Sequence, residues 1–281
     1  SGLKTIPENA FSNCAYLTKV TVPNTVETIG ASAFGGCNKL SEITLPFVGK
    51  SRSAIGYESA FGYIFDYKAE NSTGGADATG YSVGDIYKCD EYSSRISYVT
   101  YVNEGRIGYS CDYIYSVPSS IKTVNITDAS KIGAGAFAKC TYINKIVLND
   151  GITSIGDYAF YSASGIKDFV IPNSVTSLGG YSFYKCNGLT EFSIPNGITA
   201  IEKYTFYDCE NIKKVVMSRN VISIGDYAFY SCLGITKLII PDKVESIGSY
   251  AFAECRNIAE INIPDSVTEL GRNAFAASNI R

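Results

Sequence analysis

A pattern of 23 residues in the middle of the chain decides the fold. The segment IPNSVTSLGGYSFYKCNGLTEFS spans residues 171–193, and IPNGITAIEKYTFYDCENIKKVV follows at 194–216 with the same apolar positions. Repeats of this pattern, which we call rungs, start at 148, 171, 194, 217, 240 and 263, and two more start upstream at Val22 and Ile126. Because self-similarity at a fixed period of this length is typical of repeat architectures, we expect a solenoid.

The consensus of one rung, I-P-x-x-V-x-x-I-G-x-x-A-F-x-x-C-x-x-L-x-x-I-x, indicates which parts form strands. Its L-x-x-I-x-I portion alternates before a proline, which is typical of a short strand that ends there. V-x-x-I predicts a second extended segment, and A-F-x-x-C predicts a tight helical or 3₁₀ turn that directs Ala, Phe and Cys inward. One rung cannot bury these residues alone, but stacked rungs can. The sequence therefore predicts a β-rich, right-handed coil of short parallel strands, with about ten rungs spaced by roughly 4.8 Å.

The I-P, A-F and C columns resemble the leucine-rich repeats of the BspA-like (Treponema pallidum type) family, over residues 3–46 and 121–281. The resemblance implies a leucine-rich-repeat solenoid that is extracellular or at the cell surface. Characterised members of that family are secreted or surface-attached proteins of mucosa-associated bacteria and some protozoa, and act as adhesins. The resemblance thus implies a protein or glycan ligand, such as host extracellular matrix or another cell surface, although the fold by itself does not fix a function.

The repeat breaks between Pro46 and Ile121, and the segment at about 47–120 has its own composition. Residues 46–120 hold 11 of the 22 tyrosines, with 6 basic and 9 acidic residues against 18 of each elsewhere. Residues 95–102 alternate like a strand and 109–117 predict a return strand, so we expect a β-rich inserted lobe. The lobe is either a recognition element or a small β unit whose tyrosines cover its own thin core. Its candidate partner-binding residues are Tyr98, Tyr101, Tyr113 and Tyr115.

The domain organisation follows from these observations. We expect one solenoid domain over 1–281, with regular rungs at 1–46 and 121–281 and the lobe between them. Within the break, Ala60 and Phe61 match the A-F turn of a rung. Because both ends fall inside a rung and show no polar capping repeat, the chain is expected to be a fragment of a longer protein.

Seven of the nine cysteines occupy one position of the repeat: Cys14, Cys37, Cys140, Cys186, Cys209, Cys232 and Cys255. Ala163 and Ser278 stand at the same position, so small size is what the position requires. Side chains stacked in register have Cβ atoms near 5 Å apart, beyond the usual ~3.5–4.5 Å of a disulfide. We therefore predict a structural core column of free, buried thiols. Cys89 and Cys111 lie outside this column, and the alternatives for them are a mutual disulfide or free thiols.

Two columns of side chains are predicted to point outward from the first strand of each rung. One has mixed charges, from Lys19 and Glu42 at one end to Glu260 at the other, which is typical of a solvated charge ladder. The other is apolar in its middle part: Val147, Val170, Val216 and Ile239. These four residues are either candidate partner-binding residues on a concave sheet or the result of ordinary β-propensity on a half-buried surface.

Tyrosines recur beside the A-F turn in two more columns. The first is Tyr158, Tyr181, Tyr204, Tyr227 and Tyr250, and the second is Tyr161, Tyr184, Tyr207 and Tyr230. Stacked tyrosines either shield the turns by packing between rungs or bind the rings of a glycan.

The composition excludes several classes of function. The chain has no histidine, which removes His-based triads and zinc sites, and its net charge of −3 argues against a nucleic-acid partner. No apolar run approaches 18 residues, so this segment is not expected to insert into a membrane, and no cofactor motif occurs. We therefore expect a non-enzymatic binding or adhesion module that recognises a macromolecule through the concave sheet and the insertion. The alternative is a passive structural spacer of a larger surface protein.

Overall fold

The strands of neighbouring rungs pair in parallel, each offset from the next by one repeat. In this computed structural model, which describes residues 2–69 and 113–279, Ser154 pairs with Ser177, and Ser223 pairs with Ser246. The two residues of each pair are 23 positions apart, which is the length of the sequence repeat. The predicted parallel solenoid with 23-residue rungs is confirmed.

The first sheet contains the longer strands, which come from the L-x-x-I-x-I part of each rung. Numbered in chain order, they are β2 (Lys19–Thr21), β4 (Glu42–Leu45), β7 (Thr123–Ile126), β9 (Lys145–Val147), β12 (Glu191–Ser193) and β14 (Lys214–Val216). Isolated bridges continue the alignment from Lys145 to Asp168 and from Lys237 to Glu260. The variable positions of these strands point outward and the apolar ones inward, as the alternation predicted.

The second sheet comes from the V-x-x-I segment and contains strands of two residues. They are β1 (Thr5–Ile6), β3 (Thr28–Ile29), β8 (Lys131–Ile132), β10 (Ser154–Ile155), β11 (Ser177–Leu178), β13 (Ala200–Ile201), β15 (Ser223–Ile224), β16 (Ser246–Ile247) and β17 (Glu269–Leu270). The isoleucine or leucine of each strand points into the core, and it is buried in all but the last. Every rung thus contributes apolar side chains to the interior from two directions.

The A-F turns differ from the helical or 3₁₀ turn that we expected. Their N–H groups alternate between partners: Cys186 N–H donates to Phe183 O in its own turn at 3.2 Å, and Phe183 N–H donates to Thr205 O of the next rung at 2.9 Å. Tyr181 and Lys185 have left-handed φ angles of 57° and 54°. A helix cannot continue through such residues. The turns instead form a third ladder of hydrogen bonds between rungs.

Phenylalanine rings stack along the centre of the solenoid. The rings of Phe183, Phe206 and Phe229 are parallel within 13°, with centroids 5.5 Å and 5.1 Å apart. The same stack continues to Phe137 at one end and Phe275 at the other. Phe192 meets Phe206 edge-to-face at 4.5 Å and fills the remaining space. Because each ring fits only on another ring one rung away, the stack fixes the register of the repeats.

The solenoid includes residues beyond the predicted start of the lobe at about 47. Phe47, Phe61 and Phe65 are buried in the core, and two 3₁₀ helices, Gly56–Ser59 and Phe61–Ile64, replace the usual turn. Phe61 N–H donates to Ala136 O at 2.8 Å, as the Phe of a regular rung does to the next rung. Residues 47–65 therefore form part of a rung, and assigning them to the lobe was wrong.

The excursion itself starts at Asp66 and ends at Ser116. Strand β5 (Asp66–Ala69) pairs antiparallel with β6 (Tyr113–Ser116), and β4 pairs directly with β7. The excursion is thus inserted within one rung, after its A-F turn. Tyr113 and Tyr115 belong to β6. The other lobe candidates, Tyr98, Tyr101, Cys89 and Cys111, lie outside the described residues and stay predictions.

Ser182 holds a buried hydroxyl that has no hydrogen-bond partner among the described residues. It stands at the Ala position of the A-F pair, where Thr205 one rung later donates its hydroxyl to Glu202 O at 2.6 Å. Burying an unpaired hydroxyl costs about 1–3 kcal/mol. We expect Ser182→Ala to raise the free energy of unfolding, measured in urea, by about 1 kcal/mol. Thr205→Ala is the matched control and should lower it; a destabilised S182A protein would mean that Ser182 is satisfied after all.

Candidate binding face

The exposed side of the first sheet, which we call the strand face, presents an apolar column. Val147, Val170, Val216 and Ile239 are 42%, 78%, 47% and 68% exposed. They alternate with buried residues such as Ile146 and Leu238, so the strand geometry forces them outward. The structure places all four of these sequence-predicted residues in a single column, one rung apart, with the exposed Ser193 between the two pairs.

The other half of the strand face is polar. The residues at the same position in earlier rungs are Thr21, Thr44 and Asn125, and the Asn125 side-chain amide donates to Thr44 Oγ1 at 3.2 Å. The apolar column is therefore a local feature of the rungs between 145 and 239, and the same position in the last rung is the exposed Asn262.

The charge column beside it also differs between its two ends. Lys19 and Glu42 form an ion pair of 2.8 Å, as a solvated ladder predicts. Further along, Lys214 and Lys237 follow each other in adjacent rungs, between Glu191 and Glu260. Lys214 and Lys237 are thus neighbouring like charges, an arrangement that is unfavourable by itself, and each has a glutamate in the strand on its other side.

An open depression of about 810 Å³ lies over these rungs. Its lining residues are Lys213, Lys214, Val215, Val216, Met217, Arg219, Thr236, Lys237, Ile239, Ile240, Pro241, Asp242 and Lys243. Half of the apolar column, Val216 and Ile239, therefore lies in a concave site with basic side chains around it. A site of this size is within the range for ligand pockets.

The tyrosine columns are packed, with little ring face left uncovered. The centroids of Tyr181 and Tyr204 are 4.6 Å apart and those of Tyr204 and Tyr227 are 4.8 Å apart, with the rings nearly parallel. Burial, followed by the neighbouring phenols, raises the pKa of Tyr204 and Tyr227. Because each inner ring has a neighbouring ring on both faces, the geometry favours packing between rungs over the binding of a glycan ring.

The cysteine column makes a contact that sequence reasoning missed. Five of the thiols donate to the carbonyl of the Phe one rung earlier, for example Cys209 Sγ to Phe183 O at 3.0 Å; the others are those of Cys37, Cys186, Cys232 and Cys255. Ser278, at the same position, donates its hydroxyl to Phe252 O at 2.9 Å. The position therefore favours a small side chain that can donate. The serine in this column was the sequence feature that could have indicated it.

The seven column cysteines are free, and six of them are buried. Burial raises the pKa of Cys140, Cys209 and Cys255 to about 12, and that of Cys186 and Cys232 well above the usual value. Cys14 differs, because it is exposed. Assigning Cys14 to the buried core was therefore wrong.

Two further observations concern metal ions and membranes. Across 2–69 and 113–279, no group of three or more His, Cys, Asp or Glu side chains is arranged to hold a metal ion. None of the helices in these ranges is long and apolar enough to cross a membrane.

Stacked 23-residue rungs with an outward-facing parallel sheet define a leucine-rich-repeat solenoid. The BspA type leucine-rich repeat region matches residues 1–62, 111–233 and 222–281, in six copies. The chain therefore belongs to the BspA-type leucine-rich-repeat family, which confirms the resemblance seen in the sequence. No curated protein matches it.

Several solved structures are similar to this chain. A leucine-rich repeat protein from Eubacterium ventriosum has 21% identity and a TM-score of 0.55, over 100% of this chain and 82% of that one. The T. pallidum leucine-rich repeat protein TpLRR has 18% identity and a TM-score of 0.41, over 100% and 86%. The pneumococcal vaccine antigen PcpA has 14% identity and a TM-score of 0.45, over 99% and 66%. At these identities the first likeness supports the fold alone.

Proposed function

We propose that this protein is a non-enzymatic binding module, secreted or at the cell surface, that attaches to a macromolecule through the strand face. The observation that carries the proposal is the exposed column of Val147, Val170, Val216 and Ile239. Exposed apolar side chains grouped on a rigid sheet are typical of sites that bind another protein. The proposed partner is a protein or glycan, such as host extracellular matrix or another cell surface.

The division of each rung into inward and outward positions supports this assignment. The core already uses the inward positions of each rung, so the outward column contributes little to folding. A passive spacer needs only polar outward positions, such as those present in the rungs before 145. Valine and isoleucine at exposed positions lower solubility, which favours a binding role for them over a spacer.

Membership of the BspA-type family supports a location outside the cell. The cysteines are compatible with that location, because six of the seven column thiols are buried and therefore protected from oxidants. Such a protein can keep free thiols in an oxidising environment without forming wrong disulfides.

The test is binding to arrays of extracellular-matrix proteins and of glycans, with the whole chain and three variants. Val170→Gln combined with Ile239→Gln removes the two most exposed residues of the apolar column, and we expect at least tenfold weaker binding to the captured ligand. Ile222→Gln is the matched control, because Ile222 is 41% exposed but lies next to β15 on the second sheet. It should bind like the unchanged protein.

The third variant tests the insertion. Asn-Gly replaces residues 70–112, and it joins Ala69 to Tyr113, which are paired across the β5–β6 hairpin. Asn-Gly forms the two-residue turn that such a hairpin needs. Loss of binding in this variant, with full binding by the V170Q/I239Q protein, would overturn the strand-face assignment. A chain that captures nothing on either array would support the spacer.

A further inference from the structure

The depression over the strands near 214 and 237, which we call the basic depression, has a marked excess of positive charge. Five of its lining residues are basic: Lys213, Lys214, Arg219, Lys237 and Lys243. Asp242 is the one acidic lining residue, so the formal charge of the lining is five minus one, or +4. The whole chain has a net charge of −3. The positive charge is thus concentrated at this site.

These cations are not held in ion pairs by the described part of the protein, although Glu191 and Glu260 lie in the strands next to Lys214 and Lys237. In the part of the chain that the structure describes, none of the five forms an ion pair with a carboxylate. Lys243 Nζ donates to the neutral side-chain oxygen of Asn220 at 3.1 Å. A concave surface lined by unpaired charges of one sign concentrates its field and attracts ligands of the opposite sign.

The floor of the basic depression is apolar. Val216 and Ile239 are exposed there, next to the half-buried Met217 and Pro241. Along each rung, basic residues precede and follow the apolar ones: Lys214, Val216 and Arg219 in one, and Lys237, Ile239 and Lys243 in the next. An occupant that satisfies this arrangement needs apolar groups at its centre and negative charges along both edges.

We propose that the basic depression binds an acidic, extended polypeptide segment that also contains apolar side chains. This inference deepens the proposed function and rests on it, since it names the chemistry of the partner at one end of the strand face. Apolar side chains of the segment contact Val216 and Ile239, while its carboxylates meet the lysines and arginine at the edges. A sulfated or uronic acid glycan satisfies the charges but leaves the apolar floor unused, so the peptide is the better fit.

The test uses the full chain and fluorescent peptides of about ten residues in fluorescence anisotropy. One peptide alternates Glu with Leu, one alternates Lys with Leu, and one alternates Glu with Ser; heparin is the anionic glycan. We expect the Glu-Leu peptide to bind most tightly, the Lys-Leu peptide not to bind, and the affinity for the Glu-Leu peptide to fall as salt increases.

Two variants locate the site. Lys214→Gln with Lys237→Gln is expected to weaken binding of the Glu-Leu peptide about tenfold. Lys131→Gln with Lys203→Gln removes the same charge from exposed residues away from the strand face, and it should have no effect. Heparin binding more tightly than the Glu-Leu peptide, equal binding of the Glu-Leu and Glu-Ser peptides, or no binding of any peptide would each overturn the proposal.

Failure here is distinguishable from failure of the proposed function. If the V170Q/I239Q protein loses its array ligand while no acidic peptide binds, the strand face is a binding surface and the assignment of an acidic peptide is wrong. If the peptide binds the basic depression while the V170Q/I239Q protein keeps its array ligand, the assignment of an acidic peptide holds. The assignment of the array ligand to the apolar column is then wrong.

Discussion

Phe206→Ala is expected to lower the free energy of unfolding by about 3–5 kcal/mol, the cost of removing a large side chain from a packed core. Phe206 is fully buried, with Phe183 on one face, Phe229 on the other and Phe192 at its edge. Its neighbours cannot close the gap, because backbone hydrogen bonds hold the rungs at a fixed spacing. Urea denaturation followed by circular dichroism measures the loss.

Phe275→Ala is the control for this prediction. Phe275 has the same position in the repeat but is only partly buried, and it stacks on one described neighbour, Phe252, at 5.4 Å. Its replacement should cost less than half as much as that of Phe206. Equal costs at the two positions would show that the phenylalanine stack is not what holds the rungs together.

Alkaline pH should destabilise the protein through its buried thiols. The pKa of Cys209 is about 12 in the folded chain, raised by burial, and near the ordinary value of about 8.5 when the chain is unfolded. Above about pH 9 the unfolded chain loses the proton and the folded chain keeps it, so unfolding becomes easier as pH rises. Each such thiol lowers the free energy of unfolding by about 1.4 kcal/mol per pH unit until pH reaches the folded pKa. Below pH 8 its contribution is constant.

Cys209→Ser isolates this effect. Serine does not titrate in this range, and Ser278 shows that a hydroxyl can donate to the same phenylalanine carbonyl. Urea denaturation at pH 9, 10 and 11 should give a slope that is smaller by about 1.4 kcal/mol per pH unit in C209S. The titrating groups that C209S shares with the parent cancel in this comparison. Parallel slopes for C209S and the parent would refute the assignment of the pH effect to the buried thiol.

The repeat period predicted most of the fold. The 23-residue spacing and the alternation around Phe192 determine which residues pair and which are buried, because a solenoid repeats the same few contacts. The conformation of the A-F turn was not predictable in this way. Tyrosine and lysine rarely adopt left-handed φ angles. Tyr181 and Lys185 do so here, because the hydrogen bonds to the next rung are available only in the stack.

The insertion and the binding face show where sequence reasoning stopped. Ala60 and Phe61 matched the turn of a rung, but the spacing around them is irregular, so the period could not show that residues 47–65 stay in the core. The apolar column was predicted from its position. The basic depression was missed, because Arg219 and Lys243 occupy different positions of the repeat and come together with Lys214 only when the rungs stack.

Hydroxyl-radical footprinting of the protein, free and bound to the ligand captured on the array, tests most directly whether the strand face is the binding surface. We predict that oxidation of Val147, Val170, Val216 and Ile239 falls in the complex. Ile222 and Tyr142, which are similarly exposed but lie outside the apolar column, should be oxidised at the same rate in both samples. Protection of Tyr142 or Ile222, with the four column residues unchanged, would contradict the proposed binding face.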